Sequence, residues 1–379
     1  MSSQKNYPVT MKKFIKQTLG NTLLALGSIV LTLLLLEAAT RVATGRKYLD
    51  IDLRLRNAGL VYEPNQKQRW KRLEWDTFYG INSQGFRDFE YSDKGSKPKS
   101  LVILGDSFVE GFGVDLAKSF PKQLEQRLHD AGWSYRVYNA GLQGRQTPAY
   151  IQIYDRFFEN KKEIPLVIMA FCVVMDIQRG PAPDSGQISY ESRRPNQLVY
   201  GIKRFLCEYS VLYNFTRRLV KFNPKIRLLM TKLGFMGVVG FDLLPTDPRY
   251  KPYWEYTAGM ILDFQKRLRS QGKEFVLLLI PMREQIENDR FKENLEKSGT
   301  DPRSIQLFAF NDFINAYCRR QGIRILDLTP ILKSANNERP GGYHFETDNH
   351  WNVAGHTLVT NALFDFLMKN GLLEYVRSH

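Results

Sequence analysis

The chain has 379 residues, of which 43% are hydrophobic, including 24 Phe and 19 Tyr. This composition excludes a disordered chain and leaves room for one large domain or two small ones. The net charge of +15 is concentrated, because residues 193–232 contain ten basic residues and one acidic residue. No nucleic-acid reader motif accompanies this charge, so we expect no nucleic-acid partner. The three scattered cysteines do not predict a disulfide framework.

The first feature along the chain is an uncharged run at residues 17–36 that ends in leucines. About 20 helical residues cross the roughly 30 Å hydrocarbon core of a bilayer. A short basic tail at 1–16 and a retained transmembrane anchor at 17–40 are therefore favoured over a cleaved signal peptide or a buried helix. Basic residues lie on both sides of the run, so charge does not decide the topology. The short tail and the long following domain fit a single-pass protein whose large domain lies outside the cytoplasm.

The remaining sequence predicts an α/β protein. Residues 45–98 have the pattern of irregular or short β structure, and residues 99–379 alternate between strands and helices around a basic insertion at about 178–250. This alternation predicts a three-layer α/β/α fold with a central parallel sheet. The predicted strands are Ser100–Leu104, a run from Val137, Leu166–Val174, Phe275–Ile280 and Ile323–Leu328, and the predicted helices are Ala117–Ala131, 254–271, 303–321 and a last one after Asn352.

Two segments that follow predicted strands contain residues suited to chemistry. Active sites of open α/β sheets form beyond the carboxyl ends of the strands. Ser107 follows the first strand within Gly105-Asp106-Ser107, where its hydroxyl would be exposed and its backbone N–H would be free to hold an oxyanion. The segment 139–144, Asn-Ala-Gly-Leu-Gln-Gly, is either a plain turn or a site where a glycine N–H approaches a substrate closely.

A third segment, residues 347–352, supplies a base. A serine nucleophile needs a base, and the base needs a group that orients it. His129 lies in a predicted helix among polar neighbours and His379 is terminal. Of the other three histidines, His350 alone has a nearby carboxylate in an ordered-looking loop, that of Asp348. His344, Asp348, His350 and His356 match no common metal-ligand spacing, so we predict no metal site and no cofactor.

These three segments resemble the conserved blocks of the SGNH (GDSL-type) hydrolases, in the correct order, over roughly residues 78–370. The resemblance implies that Ser107 is the nucleophile, that His350 and Asp348 complete the catalytic group, and that the N–H groups of Ser107 and Gly144 form the oxyanion hole, with Asp106 and Asn139 in support. Asp348-x-His350-Trp351 is similar to the form found in polysaccharide O-acetyltransferases such as those acting on alginate. Two further stretches, 80–88 and 280–285, resemble sequences of membrane-anchored members.

The family has a further block directly after the third strand, and in this chain that block departs from the family pattern. The family commonly has Asn-Asp after the third strand, and the asparagine side chain donates to the oxyanion. Here the sequence is Met175-Asp176. Because methionine donates no hydrogen bond, and loss of one oxyanion donor costs about 100–1000-fold in rate, a weakly active or inactive binding protein is the alternative to an enzyme.

The leading hypothesis is a serine esterase or O-acyltransferase whose substrate is an acyl ester, such as an acylated envelope or extracellular glycan. The sequence does not choose between hydrolysis and transfer. The basic window Arg193–Lys232, in which aromatic residues alternate with basic pairs, either binds an anionic lipid or acidic glycan or is a solvated basic face.

Overall fold

The structure is a computed structural model that describes residues 8–45, 48–51, 55–91, 99–173, 175–177, 197–222, 226, 229–230, 250–298 and 301–373. The chain forms two compact units. One contains residues 1–51 and 194–220, and the other contains residues 52–193 and 221–379. Much of the predicted insertion, including 178–196 and 231–249, lies outside the described residues. The domain limits drawn from the sequence stay predictions.

The first unit is built on a 37-residue helix, α1 (Pro8–Thr44). Leucine and alanine favour the helical conformation, and the run contains no proline after the first turn to interrupt it. Its segment Phe14–Thr44 is long and apolar enough to cross a membrane, judged by length and composition, and its most apolar stretch is not buried within the protein. The unit also contains α5 (Gln197–Tyr209) and the greater part of α6 (Val211–Phe222).

The end of α1 is joined to the start of α6 by a carboxylate. The side chain of Glu37 accepts hydrogen bonds from the Ser210 hydroxyl at 2.7 Å and from the backbone N–H groups of Val211 at 2.9 Å and Leu212 at 3.0 Å. The first N–H groups of a helix have no partner within the helix, and a carboxylate also interacts favourably with the helix dipole. Glu37 therefore caps α6 from a distant part of the sequence.

A second acidic residue adds to this unit. Asp50 is buried and pairs with Arg217 at 2.7 Å and Arg218 at 3.2 Å. One edge of the Tyr48 ring meets Phe215, with 5.5 Å between the ring centroids. These contacts attach the chain that follows α1 to the second turn and the middle of α6.

The second unit contains the predicted parallel sheet. Five parallel strands follow the order β6-β5-β7-β8-β9. Their bounds are β5 (Lys99–Gly105), β6 (Tyr135–Gly141), β7 (Leu166–Cys172), β8 (Glu274–Ile280) and β9 (Arg324–Asp327). All seven residues of β7 are buried, as expected for a strand covered on both faces.

The two faces of the sheet have separate hydrophobic cores. On one face Val102 and Leu104 pack with α4 (Thr147–Phe157), α7 (Lys251–Ser270) and α10 (Ala309–Gln321). On the other face Leu101 and Ile103 pack with α3 (Phe120–Asp130), α11 (Thr329–Glu338) and α12 (Val353–Lys369). Successive side chains of a strand point to opposite faces, so one apolar run supplies both cores. The predicted three-layer α/β/α fold is confirmed. The remaining short helices are α2 (Ser107–Glu110), α8 (Arg283–Ile286) and α9 (Asn288–Ser298).

Three details of the predicted elements were wrong. The helix expected at 303–321 is a 3-10 turn, Pro302–Ser304, followed by α10 from Ala309. The helix expected at Ala117–Ala131 is a 3-10 turn, Leu116–Lys118, followed by α3 from Phe120. Ser119 is extended between them as the N-cap residue of α3, and Pro121 is suited to the first turn because its missing N–H would have no partner there. The third strand ends at Cys172 and not at residue 174.

The lead-in segment forms two short antiparallel pairs, β1 (Asn57–Ala58) with β2 (Val61–Tyr62) and β3 (Lys67–Lys71) with β4 (Asp76–Gly80). The segment 82–88 follows β4 and forms a turn around one side chain. The Asn82 carboxamide oxygen accepts the backbone N–H groups of Gln84 and Phe86. The expected irregular or short β structure is therefore present, and its last turn delivers Arg87 and Asp88 to the interior.

Arg87 is fully buried and binds the loop that follows α2. Its guanidinium donates to the carbonyls of Glu110, Gly111 and Val114, and its Cζ lies 3.6 Å from the centroid of the Tyr79 ring. A planar guanidinium can serve several carbonyls at once because its five N–H donors diverge. Arg87 thus holds in place the chain that leaves Ser107.

Arg87→Met is expected to lower the free energy of unfolding by about 3 kcal/mol or more, because several buried carbonyls lose their donor. Urea denaturation followed by circular dichroism measures this loss. Arg127→Met on the exposed face of α3 is the matched control, and we expect little change there. An Arg87→Met protein with the wild-type midpoint would show that these carbonyls do not need the guanidinium.

Candidate active site

Ser107 lies at the point where the central strand β5 turns into α2. Gly105 ends the strand, and a Cβ atom there would lie 2.3 Å from a methyl group of Val109, so only glycine fits this sharp turn. Asp106 precedes the helix, and its carboxylate accepts the backbone N–H of Phe108 at 2.9 Å. Ser107 is the first residue of α2, so its own N–H has no acceptor within the helix.

The structure brings Ser107, His350 and Asp348 together, although 243 residues separate the serine from the histidine. The Ser107 hydroxyl oxygen lies 2.7 Å from His350 Nε2, and His350 Nδ1 lies 2.5 Å from an Asp348 carboxylate oxygen. That oxygen also accepts the His350 backbone N–H at 3.0 Å. An ionised carboxylate only accepts hydrogen bonds, so Nδ1 carries the ring proton and Nε2 is left to accept from the serine.

The His350 ring is held between two aromatic side chains. Phe112 stacks on it with 3.8 Å between centroids and 10° between planes, and Phe108 lies 4.8 Å away. Both phenylalanines belong to the segment that begins at Ser107, so this segment positions the Ser107 hydroxyl and the imidazole together. The sequence interpretation passed over Phe112, although an aromatic residue five positions after the serine, between two glycines, was visible in the sequence.

The loop that carries Asp348 is fixed by Arg283, from the stretch 280–285. Arg283 is nearly buried and donates to the carbonyls of Phe345 at 2.5 Å and Asp348 at 2.9 Å. Its Nε lies 2.8 Å from Glu287, whose other neighbour is the His344 ring at 3.3 Å. His344 thus also has a carboxylate neighbour, which is remote from it in sequence. These neighbours lower the pKa of Glu287 to about 2 against the opposing effect of burial.

The second block meets the serine turn at Gly141. A Cβ atom at Gly141 would lie 2.1 Å from the Glu110 backbone nitrogen, so α2 packs directly on the end of β6. Asn139 is buried, and its carboxamide oxygen accepts the Gly141 N–H at 3.1 Å. Its own N–H donates to Asp88, which forms a buried ion pair with Lys122 at 2.8 Å. Asn139 thus contacts Gly141 and Asp88, and its supporting role stays a prediction.

Gly144 lies in the loop after β6 and has a φ of 69°, in the left-handed region that favours glycine. The neighbouring Gln143 is tied to Glu110, whose carboxylate accepts its backbone N–H at 2.8 Å and its side-chain N–H at 3.2 Å. The hydroxyl of Tyr62 lies 3.1 Å from the same carboxylate. Glu110 was not singled out from the sequence, although an acidic residue among the apolar neighbours of Ser107 was a signal for it.

Burial raises the pKa of Glu110 to about 7, against the lowering effect of Arg87 and of the N–H groups of Gln143. This carboxylate connects α2, which begins with Ser107, to the loop that carries Gly144. The segments that contain Ser107 and Gly144 are therefore connected by one side chain.

In the block after β7, Met175-Asp176, one side chain is exposed and the other is buried. The side chain of Met175 is 51% exposed, and its carbonyl accepts a hydrogen bond from the Gln146 side chain at 2.7 Å. Asp176 is fully buried, where it accepts the Cys172 N–H at 2.7 Å and lies 2.8 Å from the Tyr150 hydroxyl. The Gln146 amide thus contacts the residue that stands where the family has asparagine.

Asp176 has a perturbed acidity. Burial, with the added effect of the nearby Asp106 carboxylate, raises its pKa well above the ordinary range. Burial likewise raises the pKa of Asp106. A protonated Asp176 can donate a hydrogen bond to the Tyr150 hydroxyl oxygen. The Tyr150 hydroxyl can then donate its own hydrogen bond to the Arg145 carbonyl, 2.9 Å away.

Asp176→Asn is expected to flatten the dependence of stability on pH. A carboxyl group whose pKa is raised by folding stabilises the fold at low pH, and this contribution is lost as the pH rises through the raised value. Asparagine mimics the neutral protonated acid and has no proton to lose as the pH rises. The melting temperature, measured from about pH 5 to about pH 9, should therefore fall less steeply in the variant than in the wild type. Asp263→Asn, at an exposed position of α7, is the control and should follow the wild-type curve. If Asp176 were already ionised at the lowest pH of this range, the Asp176→Asn curve would also follow that of the wild type.

Comparisons with known proteins agree with the sequence blocks. Residues 244–376 match the family profile described as the SGNH hydrolase-like domain of the acetyltransferase AlgX, a range that includes Asp348 and His350 but not Ser107. A curated relative, the esterase TesA of Pseudomonas aeruginosa, is 25% identical over 123 residues. That match covers 32% of this chain and 60% of the length of the relative.

Among the solved structures that the chain matches is a G-D-S-L family lipolytic protein of Desulfitobacterium hafniense, with 14% identity and a TM-score of 0.39. The match covers 71% of this chain and 99% of that chain. An acetyl-xylooligosaccharide esterase of a Geobacillus species has 13% identity and a TM-score of 0.40 over 76% of this chain and all of its own. The stronger guides are the sequence matches and the five-stranded parallel sheet, whose carboxyl edge carries the three blocks in order. Over these ranges the chain is similar to an SGNH hydrolase-like domain of an acetyltransferase and to an esterase.

Proposed function

We propose that this protein is a serine-dependent ester hydrolase or O-acyltransferase that acts on an acylated glycan of the cell envelope or extracellular space. The observation that carries the proposal is the hydrogen-bonded series Ser107–His350–Asp348, with contacts of 2.7 and 2.5 Å. Such a series activates a hydroxyl that is otherwise a weak nucleophile. The glycan substrate is supported by the match to an acetyltransferase domain and by the Asp348-x-His350-Trp351 form of the last block.

The proposed reaction has two stages. The Ser107 hydroxyl oxygen attacks the acyl carbonyl while its proton passes to His350 Nε2, and the carbonyl oxygen takes up the negative charge. When this intermediate collapses, the bond to the alcohol breaks and the alcohol leaves with the proton from His350. Water or a sugar hydroxyl then attacks the acyl-serine carbonyl and gives its proton to His350. When this second intermediate collapses, the bond to the Ser107 oxygen breaks, His350 returns the proton to that oxygen, and the acid or the new ester leaves.

The oxyanion is assigned to the backbone N–H groups of Ser107 and Gly144. Both lie at helix or loop positions that leave an N–H available, and Glu110 links their two segments. Preorganised donors of this kind supply a large part of the rate of acyl transfer. The exposed Gln146 amide beside Met175 is a candidate for the third donor that the family usually takes from asparagine.

We further propose that α1 remains in the mature protein as a membrane anchor. A cleaved signal peptide would be removed near the end of its apolar region. Here Glu37 and Arg41, which directly follow that region, are bonded to α6 and to the carbonyl of Tyr209. Removing α1 would leave the start of α6 without its cap. The large domain is proposed to lie outside the cytoplasm, where envelope glycans are found.

A fluorophosphonate probe tests the proposed function directly, because it reacts with an activated serine. We expect it to label the detergent-solubilised protein and p-nitrophenyl acetate to be hydrolysed. The same protein, incubated with an acetylated glycan and an unacetylated acceptor, would either release acetate or transfer it, which separates hydrolase from transferase. Folded protein that neither reacts with the probe nor turns over the ester would contradict the proposal.

The alternative is a binding protein on the same fold, which the exposed Met175 favours. Met175→Asn distinguishes the two, because it restores the side chain that the family uses. In a weakened enzyme we expect kcat for p-nitrophenyl acetate to rise by about 10-fold or more, since one oxyanion donor contributes 100–1000-fold. Met175→Gln is the control, with the same amide one carbon further out. A binding protein would bind glycan with the same affinity in the wild type and in Ser107→Ala and would show no turnover in any variant.

A further inference from the structure

The helix α5 has an exposed apolar face. Ile202, Phe205 and Tyr209 are 53%, 61% and 59% exposed, and their spacing of three and four residues places them on one side of the helix. The rings of Phe205 and Tyr209 are in contact, with 5.0 Å between centroids. Contiguous apolar surface of this kind marks an interaction site more often than a solvated face.

This face lies beside the end of the apolar run of α1. Arg41 donates to the carbonyl of Tyr209, the last residue of α5, and Glu37 binds Ser210 and the first N–H groups of α6. Glu37 is the first charged residue after Leu36, where the apolar run of α1 ends. The carboxyl end of α5 is therefore held at the level along α1 where hydrocarbon would give way to lipid headgroups.

Basic side chains accompany the apolar face. Lys203 and Arg204 lie on the same turns of α5 as Ile202 and Phe205, and neither has an ion pair among the residues that the structure describes. On α6, Arg217 and Arg218 are instead paired with Asp50. A helix with aromatic residues on one face and unpaired lysine or arginine beside it is typical of segments that lie in a membrane interface.

We propose that α5 lies in the membrane–water interface, with Phe205 and Tyr209 at the acyl-chain boundary and Lys203 and Arg204 on anionic phospholipid headgroups. The inference rests on the proposed anchoring by α1 and adds a second, lipid-selective contact to it. Anionic lipid is favoured over an acidic glycan because a glycan would use the basic side chains but gives no reason for exposed aromatic rings at the end of an apolar helix.

The test uses the full chain in lipid vesicles, with a nitroxide label at Phe205→Cys. The three native cysteines, Cys172, Cys207 and Cys318, are buried, so the added thiol is the reactive one. In vesicles of phosphatidylcholine with phosphatidylglycerol, we expect the label to be more accessible to oxygen, which dissolves in lipid, than to a water-soluble nickel complex. A label at Lys266→Cys, an exposed position of α7, should be more accessible to the nickel complex than to oxygen.

Charge reversal tests the headgroup contact. In the same vesicles, the double variant Lys203→Glu with Arg204→Glu in the Phe205→Cys background should make the label more accessible to the nickel complex than to oxygen. An unchanged label would overturn the headgroup contact. A label that is restricted by soluble polygalacturonate, and not by anionic lipid, would overturn the proposal in favour of a glycan site.

Vesicle flotation separates this inference from the anchoring on which it rests. Protein that floats with the vesicles but keeps a water-accessible label at position 205 would overturn the interfacial role of α5 and leave the anchor intact. Protein that does not float would overturn both. Neither result bears on the fluorophosphonate reaction of Ser107, which is measured in detergent.

Discussion

Ser107→Ala is expected to lower kcat for p-nitrophenyl acetate by about 10,000- to 1,000,000-fold and to abolish labelling by a fluorophosphonate probe. The reason is local, since the Ser107 hydroxyl is the oxygen that His350 Nε2 contacts at 2.7 Å, and no acyl-serine can form without it. Oxyanion donors and substrate binding alone leave a small residual rate. Steady-state kinetics, with intact-protein mass spectrometry of the labelled sample, measures both effects.

The control for this variant is Ser334→Ala, at an exposed position of α11, which should keep the wild-type rate and labelling. The Ser107→Ala protein should also unfold at a melting temperature close to that of the wild type, because the hydroxyl is half-buried and contributes little packing. Retention of full esterase turnover in Ser107→Ala would contradict the serine mechanism, whatever the state of the rest of the site.

Asp348→Asn is expected to lower kcat by about 10,000-fold while the fold is kept. Asp348 accepts from both Nδ1 and the backbone N–H of His350. An asparagine can present its amide NH₂ to the ring, and the histidine then adopts the tautomer whose Nε2 carries the proton. In that tautomer Nε2 cannot take the proton of Ser107. The loss should therefore fall on kcat more than on KM.

The Asp348→Asn effect is checked by steady-state kinetics beside Asp365→Asn, an exposed aspartate of α12 that pairs with Arg127 at 3.9 Å. We expect no loss in this control. Reactivity toward the fluorophosphonate should fall in parallel with kcat, because both need an activated serine. A variant that keeps more than about a tenth of the wild-type kcat would show that His350 is oriented by its stacking on Phe112 and not by the carboxylate.

Much of the fold was predictable because it depends on local patterns. Apolar runs such as Leu166–Cys172 are short, rich in β-favouring residues and buried on both faces, so the central strands were recognised within two residues. The basic insertion was recognised only as an interruption of the pattern. Its helices α5 and α6 take their place from Glu37 and Asp50, which lie some 170 residues earlier in the chain.

The site was predictable as far as chain order and strand ends determine it. Ser107 and the 139–144 segment follow neighbouring parallel strands, whose carboxyl ends must meet at one edge of the sheet. His350 was selected from the sequence by its neighbouring carboxylate, and the family resemblance assigned it to Ser107, because no local pattern relates residues so far apart. Its partners Phe112 and Arg283 could not be deduced from spacing.

By itself, the sequence determined the alternation of strands and helices, the apolar run of α1 and the identity of the three blocks. These depend on side-chain periodicity and backbone preference, which act over a few residues. Only the tertiary structure decided that Glu110 joins the serine helix to the Gly144 loop, that Arg87 holds the chain leaving Ser107, and that Glu37 caps α6. Each of these is a buried polar contact whose partners are set by how the layers pack, and packing brings together residues that are distant in the sequence.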